Sequence, residues 1–214
     1  MNVSKYILMA ILALTLIANY LKGNAQFSKD VSDLVDVSKV NPNIKIDMRY
    51  ATKNNFTKQV LYLSPKCYLR KNVAEKLDKI QKELEKKDLC LKILDAYRPL
   101  SAQKKMWEIF PDTNFVADPK KGSKHNRGAS VDVTLFDLKT GKELPMPTKF
   151  DDLTERAAVT YNKGLTVKQK QNRNLLQKVM KENGFLPYKN EWWHFNDSEW
   201  QNYALLDVDF KDLI

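Results

Sequence analysis

The chain contains 214 residues and carries a formal net charge of +10, from 36 lysines and arginines against 26 aspartates and glutamates. Its shares of hydrophobic residues (43%) and charged residues (29%) are ordinary for a globular protein, which excludes a disordered or collagen-like chain. The length fits one domain with a sizeable core. The basic residues are scattered without a basic-aromatic stripe or a nucleic-acid motif, so we expect a solvated surface and no nucleic-acid partner.

The first segment has the pattern of a secretory signal. Lys5 is followed by an apolar run over residues 6–21, and residues 23–25 (Gly-Asn-Ala) supply small side chains where a signal peptidase cuts. The run is shorter than the roughly 20 apolar residues of a typical membrane span. We therefore predict a signal peptide over residues 1–25 and a mature domain over residues 26–214. That domain is expected to be exported to the periplasm, without stable membrane association once the signal is cut. The alternative is an uncleaved N-terminal anchor.

The first predicted elements of the mature domain are a strand and an amphipathic helix. Apolar and polar residues alternate over residues 44–50, which is the pattern of a half-buried strand. A helix is predicted to begin after Asn72 as its N-cap and to end near Asp88. Its apolar face has helical spacing and consists of Val73, Leu77, Ile80 and Leu84.

A buried strand, an arginine that projects from its end and a second helix are predicted next. Residues 89–94 form a short, mainly apolar run that is typical of a buried strand. Pro99 disfavours helical backbone at Arg98, so Arg98 should project from the end of this strand. A helix should follow over residues 101–110, and residues 111–124 should form a loop.

The second half of the chain predicts two more strands around one helix. Residues 130–135 alternate as a strand, residues 145–164 are irregular or weakly helical, and a helix is closed by Gly184. Residues 191–195 are predicted to form a short strand. Helices and strands do not alternate strictly, which favours a single α+β domain: a small, mainly antiparallel sheet flanked by helices.

Cys67 and Cys90 are the two cysteines of the chain. In an exported protein such a pair can form a disulfide, and the equal alternative is a pair of buried thiols.

Two histidines occur in the chain, and each lies in a dense polar cluster. His125 stands seven positions before Asp132, and His194 stands three positions after Glu191. A single histidine is more often a packed or surface residue, but two in such surroundings favour a metal site. Two histidines and one aspartate as ligands, with a glutamate left free, suit zinc hydrolysis.

The proposed chemistry also needs a base and a cation. Glu191 is the candidate base, although in an extended strand it would face away from His194, so a turn or bulge is required there. Arg98 is the candidate cation for the developing oxyanion. The alternatives without a catalytic role are that Arg98 only forms an ion pair with Asp95 and that Asp132 is an isolated carboxylate at a strand end.

Several motifs together resemble a known family. Ser-x-His-x-x-Gly-Ala-x-x-Asp from Ser123 and Glu-x-Trp-His from Glu191 are similar to zinc peptidases that include D,D-carboxypeptidases and hedgehog-like domains. Three further segments are closer to the VanX-type D-alanyl-D-alanine dipeptidases: Arg-Tyr-Ala-Thr with Asn-Phe-Thr over residues 49–57, Asp-Ala-Tyr-Arg-Pro over residues 95–99, and Lys-Phe-Asp over residues 149–151. The resemblance spans roughly residues 44–196, and it implies a hedgehog/D,D-peptidase-like zinc site in the α+β fold.

The resemblance also implies a role for each site residue. The implied ligands of one Zn²⁺ per subunit are His125, Asp132 and His194. The implied catalytic groups are Glu191 as general base and Arg98, which polarises the scissile carbonyl. The implied substrate-binding residues are Asp151 and Tyr50, which hold the free amino group of the dipeptide, and Ser123, which lines the site.

The expected reaction is hydrolysis of the free dipeptide D-Ala-D-Ala to two D-alanines. One alternative is a peptidoglycan D,D-carboxypeptidase or endopeptidase, and another is a zinc-stabilised binding module without catalysis. The presence of both Glu191 and Arg98 argues against the binding module. The export signal departs from the cytoplasmic dipeptidases of antibiotic resistance, and it favours salvage of dipeptide released from peptidoglycan.

Overall fold

The computed structural model describes residues 27–28 and 32–213. The predicted signal peptide over residues 1–25 lies outside these residues. Within the described part of the chain, no helix combines the length and the apolar character needed to cross a bilayer.

The described residues form short strands and helices in a mixed order. The strands are β1 (Phe27–Ser28), β2 (Leu34–Asp36), β3 (Lys45–Ile46), β4 (Tyr68–Arg70), β5 (Leu89–Asp95), β6 (Ser130–Asp137), β7 (Lys142–Glu143), β8 (Phe185–Pro187), β9 (His194–Asp197) and β10 (Leu205–Leu206). The α-helices are α1 (Val37–Val40), α2 (Lys71–Glu85), α3 (Leu100–Ile109) and α4 (Val167–Glu182). The predicted α+β class is confirmed.

The main sheet has six strands and is mainly antiparallel. Its order is β3-β5-β6-β9-β8, with β7 paired to an end of β6. The pairs β5–β6, β6–β9 and β8–β9 are antiparallel, and β3–β5 is parallel. Strand β6 lies in the middle, and its residues from Ser130 to Leu135 are all buried. This central strand can therefore hold polar side chains in a fixed, desolvated position.

Helix α2 covers the sheet with the apolar face that its spacing predicts. Val73, Leu77, Ile80 and Leu84 are fully buried. The helix begins at Lys71 rather than after Asn72, because β4 runs directly into it and Arg70 takes the N-cap position. At its other end the helix stops at Glu85, and a turn with left-handed Asp88 leads into β5.

The predicted strand over residues 44–50 is only partly correct. Two residues form β3, and Arg49–Ala51 is a short 3₁₀ helix. The backbone N–H of Asp47 still donates to the carbonyl of Ile93, but the chain then turns away from β5. The Tyr50 carbonyl accepts from the N–H of Leu61, in a loop, rather than from a strand. This turn directs the Tyr50 side chain into the pocket described below.

Cys67 and Cys90 are both free thiols. Both are buried, and burial raises the pKa of each thiol. The alternative of two buried thiols, rather than a disulfide, is therefore the one found.

Candidate active site

Three potential metal ligands meet where β6, β9 and a short turn come together. His125 opens a 3₁₀ turn that ends at Gly128, two residues before β6. Gly128 has a φ of 66°, and a Cβ there would lie 2.8 Å from Leu34 Cδ2, so this tight turn needs glycine. Asp132 on β6 and His194 on β9 are direct cross-strand partners.

The ligand atoms of this triad face one another. His194 Nδ1 lies 3.0 Å from Asp132 Oδ1 and 3.3 Å from His125 Nε2. His125 Nε2 lies 3.6 Å from Asp132 Oδ1. One ligand atom from each residue lies within 4.8 Å of the other two. The three residues predicted as ligands are therefore brought together.

The outer nitrogen of each imidazole ring has its own acceptor. His125 Nδ1 lies 2.7 Å from the Ala96 carbonyl oxygen, which can only accept, so this nitrogen carries the proton. His194 Nε2 lies 3.0 Å from Asn196 Oδ1, which also accepts from Ser130 Oγ. Both rings thus present an unprotonated nitrogen to the cluster. Two nitrogen lone pairs and a carboxylate oxygen at one point are a donor set that fits a divalent cation.

The pKa shifts in the triad agree with this donor set. Burial lowers the pKa of His194, despite the opposing effect of Asp132, and this favours the neutral imidazole that a metal requires. Burial by itself would raise the pKa of Asp132. The two neighbouring imidazoles outweigh burial and hold the pKa of Asp132 below its usual range, so the carboxylate is ionised, as a metal ligand must be.

Glu191 lies beside the triad on a turn, which corrects the predicted strand over residues 191–195. Strand β9 begins only at His194, whose N–H closes the turn on the Glu191 carbonyl at 3.4 Å. The N–H of Trp192 donates to the Ala157 carbonyl at 2.9 Å and holds this turn in place. Because of the turn, Glu191 faces the same side as His194, and its Oε2 lies 3.7 Å from His194 Nδ1. Burial, reinforced by the carboxylates of Asp132 and Asp151, raises the pKa of Glu191 well above its ordinary value.

Arg98 projects from the end of β5 into the same pocket. Its Nε and Nη2 donate to Asp95 Oδ2 at 2.8 and 2.6 Å, and its Nη1 donates to Gln103 Oε1 at 2.9 Å. Its Cζ lies 5.0 Å from the centre of the Tyr50 ring. The ion pair with Asp95, which the sequence offered as the alternative to a catalytic role, thus holds the guanidinium in the wall of the pocket.

A third carboxylate, that of Asp151, lines the same pocket as Asp132 and Glu191. Asp151 Oδ1 accepts from Tyr50 Oη at 2.8 Å, and its Oδ2 accepts from the Phe56 N–H at 3.0 Å. Asp151 has a φ of 62°, a left-handed conformation that aspartate tolerates better than most residues. Burial raises the pKa of Asp151 to about 7, despite these two hydrogen bonds. A cationic group bound here would remove the cost of burying the charge.

All eight predicted site residues line one pocket with a volume of about 320 Å³. This is near the lower end of the range for small-molecule sites, about 300–1,000 Å³. Ser123 is one of these residues, and its Oγ accepts the N–H of His125 at 3.2 Å, so it also shapes the turn that carries a ligand. The set is Tyr50, Arg98, Ser123, His125, Asp132, Asp151, Glu191 and His194.

Sequence reasoning missed three supporting residues. Asn196 follows His194 by two positions on β9, so strand alternation places both on one face and could have indicated it. Gln103 supports Arg98 from α3, and the Tyr188 ring lies 5.6 Å from the His194 ring. For Gln103 and Tyr188 the sequence carries no local signal.

Comparison with known proteins identifies the family of the chain. A family model described as D-ala-D-ala dipeptidase matches residues 30–212. The chain belongs to this family. The D-alanyl-D-alanine dipeptidase of Escherichia coli is 35% identical over 185 residues, which cover 86% of this chain and 95% of that protein.

Two further members of the D-Ala-D-Ala dipeptidase family carry the same name. The protein of Enterococcus faecium is 31% identical, over 71% of this chain and 85% of its own length. The protein of Enterococcus faecalis is 32% identical, over 79% of this chain and 89% of its own length. The resemblance inferred from the motifs is confirmed at the level of the family, which is one of metallopeptidases. In the described residues, the triad of His125, Asp132 and His194 is the cluster able to hold such a metal.

Proposed function

We propose that this protein is a zinc-dependent dipeptidase that hydrolyses free D-Ala-D-Ala to two D-alanines. One observation carries the proposal: a half-buried carboxylate, Asp151, shares a small pocket with a metal-ligand triad and a free glutamate. The triad suits peptide hydrolysis, and the carboxylate suits a free ammonium group. Relatives of up to 35% identity are named for this same activity.

Zinc is the metal we assign to the triad. Two imidazoles and one carboxylate are a usual ligand set of catalytic zinc, which keeps one further position open for water or substrate. When bound, zinc lowers the pKa of water to roughly 7 and polarises a carbonyl oxygen. The hydrogen bonds to Ala96 and Asn196 orient the two histidines for this ligation.

Glu191 is the proton carrier in our proposal. Its carboxylate takes a proton from the attacking water and delivers it to the amine that leaves as the C–N bond breaks. Its position beside His194 places it next to the metal ligands. No other carboxylate is needed for this step.

Arg98 and Asp151 then orient the substrate in the proposed complex. The guanidinium, held by Asp95 and Gln103, stabilises the oxygen that gains negative charge when the carbonyl is attacked. Asp151, held by Tyr50 and the Phe56 N–H, pairs with the ammonium group of the dipeptide. Ser123 lines the wall beside His125. A peptide without a free amine would leave Asp151 unpaired, a penalty on the order of 2–5 kcal/mol.

We also propose that the enzyme acts outside the cytoplasm. Support comes from the apolar run over residues 6–21 and the small residues after it. In that location its substrate would be dipeptide released from peptidoglycan. The prediction is checked by fractionating cells that express the full chain and sequencing the N-terminus of the exported form, which should begin near Gln26. Full-length protein in the cytoplasmic fraction would contradict it.

The function is tested by comparing two substrates on the zinc-loaded protein. We expect release of D-alanine from D-Ala-D-Ala and little release from N-acetyl-D-Ala-D-Ala. Glu191→Gln should still bind one zinc, measured by metal analysis, while kcat falls by about 10²–10⁴. Faster cleavage of acylated stem peptides would instead indicate a carboxypeptidase. Zinc binding without cleavage of either substrate would indicate a binding module.

A further inference from the structure

The loop over residues 111–124 forms one wall of the pocket. Eight of its residues line the cavity, among them Thr113, Phe115, Val116 and Ala117. Val116 is buried, although it belongs to a loop. The position of this loop therefore sets how much room a substrate has.

A buried hydrogen-bond bridge fixes the loop on the side of Arg98. Gln103 is fully buried, and its Nε2 donates to the Ala117 carbonyl at 2.7 Å. The Oε1 of the same side chain accepts from Arg98 Nη1 at 2.9 Å. Since both ends of the Gln103 amide are used, the loop cannot shift here without disturbing the guanidinium.

A second attachment lies at the rim, where the loop meets the turn between β8 and β9. Tyr188 Oη donates to the Asn114 carbonyl at 2.8 Å, and Asn190 Nδ2 donates to the same oxygen at 3.0 Å. We call these two hydrogen bonds the Asn114 clasp. They are exposed to solvent, so they are weaker than the bridge through Gln103 and easier to open.

The Asn114 clasp lies between two parts of the pocket. We call the part around Asp151 the amine end and the part around the triad of His125, Asp132 and His194 the metal end. On one side, the centre of the Phe115 ring lies 6.2 Å from the centre of the Phe110 ring, and the centre of the Phe110 ring lies 6.3 Å from that of Phe56. The N–H of Phe56 donates to Asp151, the proposed amine-binding carboxylate. On the other side, the Tyr188 ring lies 5.6 Å from the ring of His194. The loop, Asp151 and the metal-ligand triad thus line one pocket, so a group attached to a substrate amine held at Asp151 would share this space with the loop.

We propose that the Asn114 clasp limits the size of the group on the substrate's amino nitrogen, with Tyr188 and Asn190 as its specificity-determining residues. The inference rests on the proposed dipeptidase function and deepens it. Asp151 selects for positive charge on the amine, whereas the clasp selects for small size. The two requirements are separable, because a substituent can add bulk to the amine and leave its charge intact.

The probe for size alone is N-isopropyl-D-Ala-D-Ala. Its secondary amine is protonated at neutral pH, so it still pairs with Asp151, but it carries three more carbon atoms than the free dipeptide. The measured quantity is the ratio of kcat/KM for this probe to kcat/KM for D-Ala-D-Ala. The variant is Tyr188→Phe with Asn190→Ala, which removes both donors and keeps the aromatic ring beside His194.

We expect this double variant to raise the ratio about tenfold, as the loss of two exposed hydrogen bonds predicts. The matched control is Asn43→Ala, which removes an exposed side-chain hydrogen bond to Glu85 outside the pocket and should leave the ratio unchanged. Thermal unfolding checks that the double variant folds. If it does not, Tyr188→Phe and Asn190→Ala are measured separately, and each should raise the ratio about threefold.

The outcomes separate this inference from the proposed function. A double variant with the same ratio as the unaltered protein overturns the clasp and leaves the dipeptidase intact. The clasp is also overturned, and the dipeptidase left intact, if the unaltered protein cleaves N-isopropyl-D-Ala-D-Ala with the same kcat/KM as D-Ala-D-Ala. Failure of the unaltered zinc-loaded protein to cleave D-Ala-D-Ala overturns both. A raised ratio in the double variant, with the control unchanged, supports the clasp.

Discussion

The metal end and the amine end of the pocket are built in different ways. Asp132 and His194 face each other across two paired strands, and the turn that carries His125 is hydrogen-bonded to the segment after β5. Asp151, in contrast, lies in irregular chain with a left-handed backbone and is held by groups from another loop. Two of the three proposed metal ligands thus lie on the sheet and the third on a turn bonded beside it, whereas the proposed amine-binding residue lies in irregular chain.

This difference predicts how substitutions act. A change at the metal end should remove metal or turnover for every substrate. A change at the amine end should keep the metal and alter which substrate is used. The following predictions test that division, from the largest expected effect to the smallest.

His125→Ala should abolish activity and stoichiometric zinc binding, because it removes one of the three proposed ligands and the chain has no third histidine to replace it. The measurement is zinc content after dialysis, together with D-alanine release. Asp151→Asn is the matched control from the other end of the pocket, and it should keep one zinc per chain. Full activity in His125→Ala would refute the ligand assignment.

Arg98→Lys should lower kcat by about 10²–10³ with a smaller change in KM. Lysine keeps the charge, but it cannot donate to Asp95 and Gln103 at once and still face the substrate as the guanidinium does. Steady-state kinetics on D-Ala-D-Ala measure the effect. The control is Arg49→Lys, since Arg49 also pairs with carboxylates but lies outside the pocket. An equal loss in both variants would mean that Arg98 has only a structural role.

Asp151→Asn should lower kcat/KM for D-Ala-D-Ala on the order of 100-fold and change activity on N-acetyl-D-Ala-D-Ala much less. The pH profile offers a second measurement. Because the pKa of Asp151 is about 7, the carboxylate is protonated in acid and cannot pair with an ammonium group. In the unaltered protein kcat/KM should therefore rise through an inflection as pH increases to 7, and it should fall again at roughly pH 8, where the ammonium group of the dipeptide loses its proton. The variant should lose the acid-side inflection, and a profile that keeps it would assign the pKa to another group.

Asn196→Ala should weaken zinc binding by roughly 10-fold, the low end of the effect of such supporting residues. The change removes the acceptor of His194 Nε2, so the ring loses its orientation but remains a ligand. Competition with a chelator measures the affinity. When zinc is saturating, activity should largely return. A permanent loss of activity at saturating zinc would show that Asn196 acts in some other way.

The metal end could be predicted almost completely from the sequence. His125 and Asp132 belong to one dense motif, and the alternating residues after Ser130 identify the strand that carries the aspartate. Pro99 correctly indicated that Arg98 leaves the end of β5. These features depend on local backbone preferences, which the sequence expresses directly.

The amine end and the supporting contacts could not be predicted in the same way. Tyr50 was expected on a strand, yet it lies in a 3₁₀ turn because its backbone bonds to the loop at Leu61. Glu191 was expected at the start of a strand, with a turn or bulge required to bring it beside His194, and the structure has a turn there. The contacts of Gln103 with Ala117 and of Tyr188 with Asn114 join segments through backbone carbonyls, which every residue possesses. The identities of Ala117 and Asn114 therefore give no sign in the sequence that Gln103 and Tyr188 bind to them.

The left-handed backbone at Asp151 restricts how this pocket can change during evolution. Glutamate, the usual conservative replacement, fits such a backbone less well and would push its carboxylate past Tyr50. Glycine fits the backbone but provides no acceptor for the Phe56 N–H. Asparagine meets both demands and lacks the charge. The route to an enzyme for peptides with blocked amines is therefore a single substitution, while other charged side chains at this position carry the cost of a left-handed backbone.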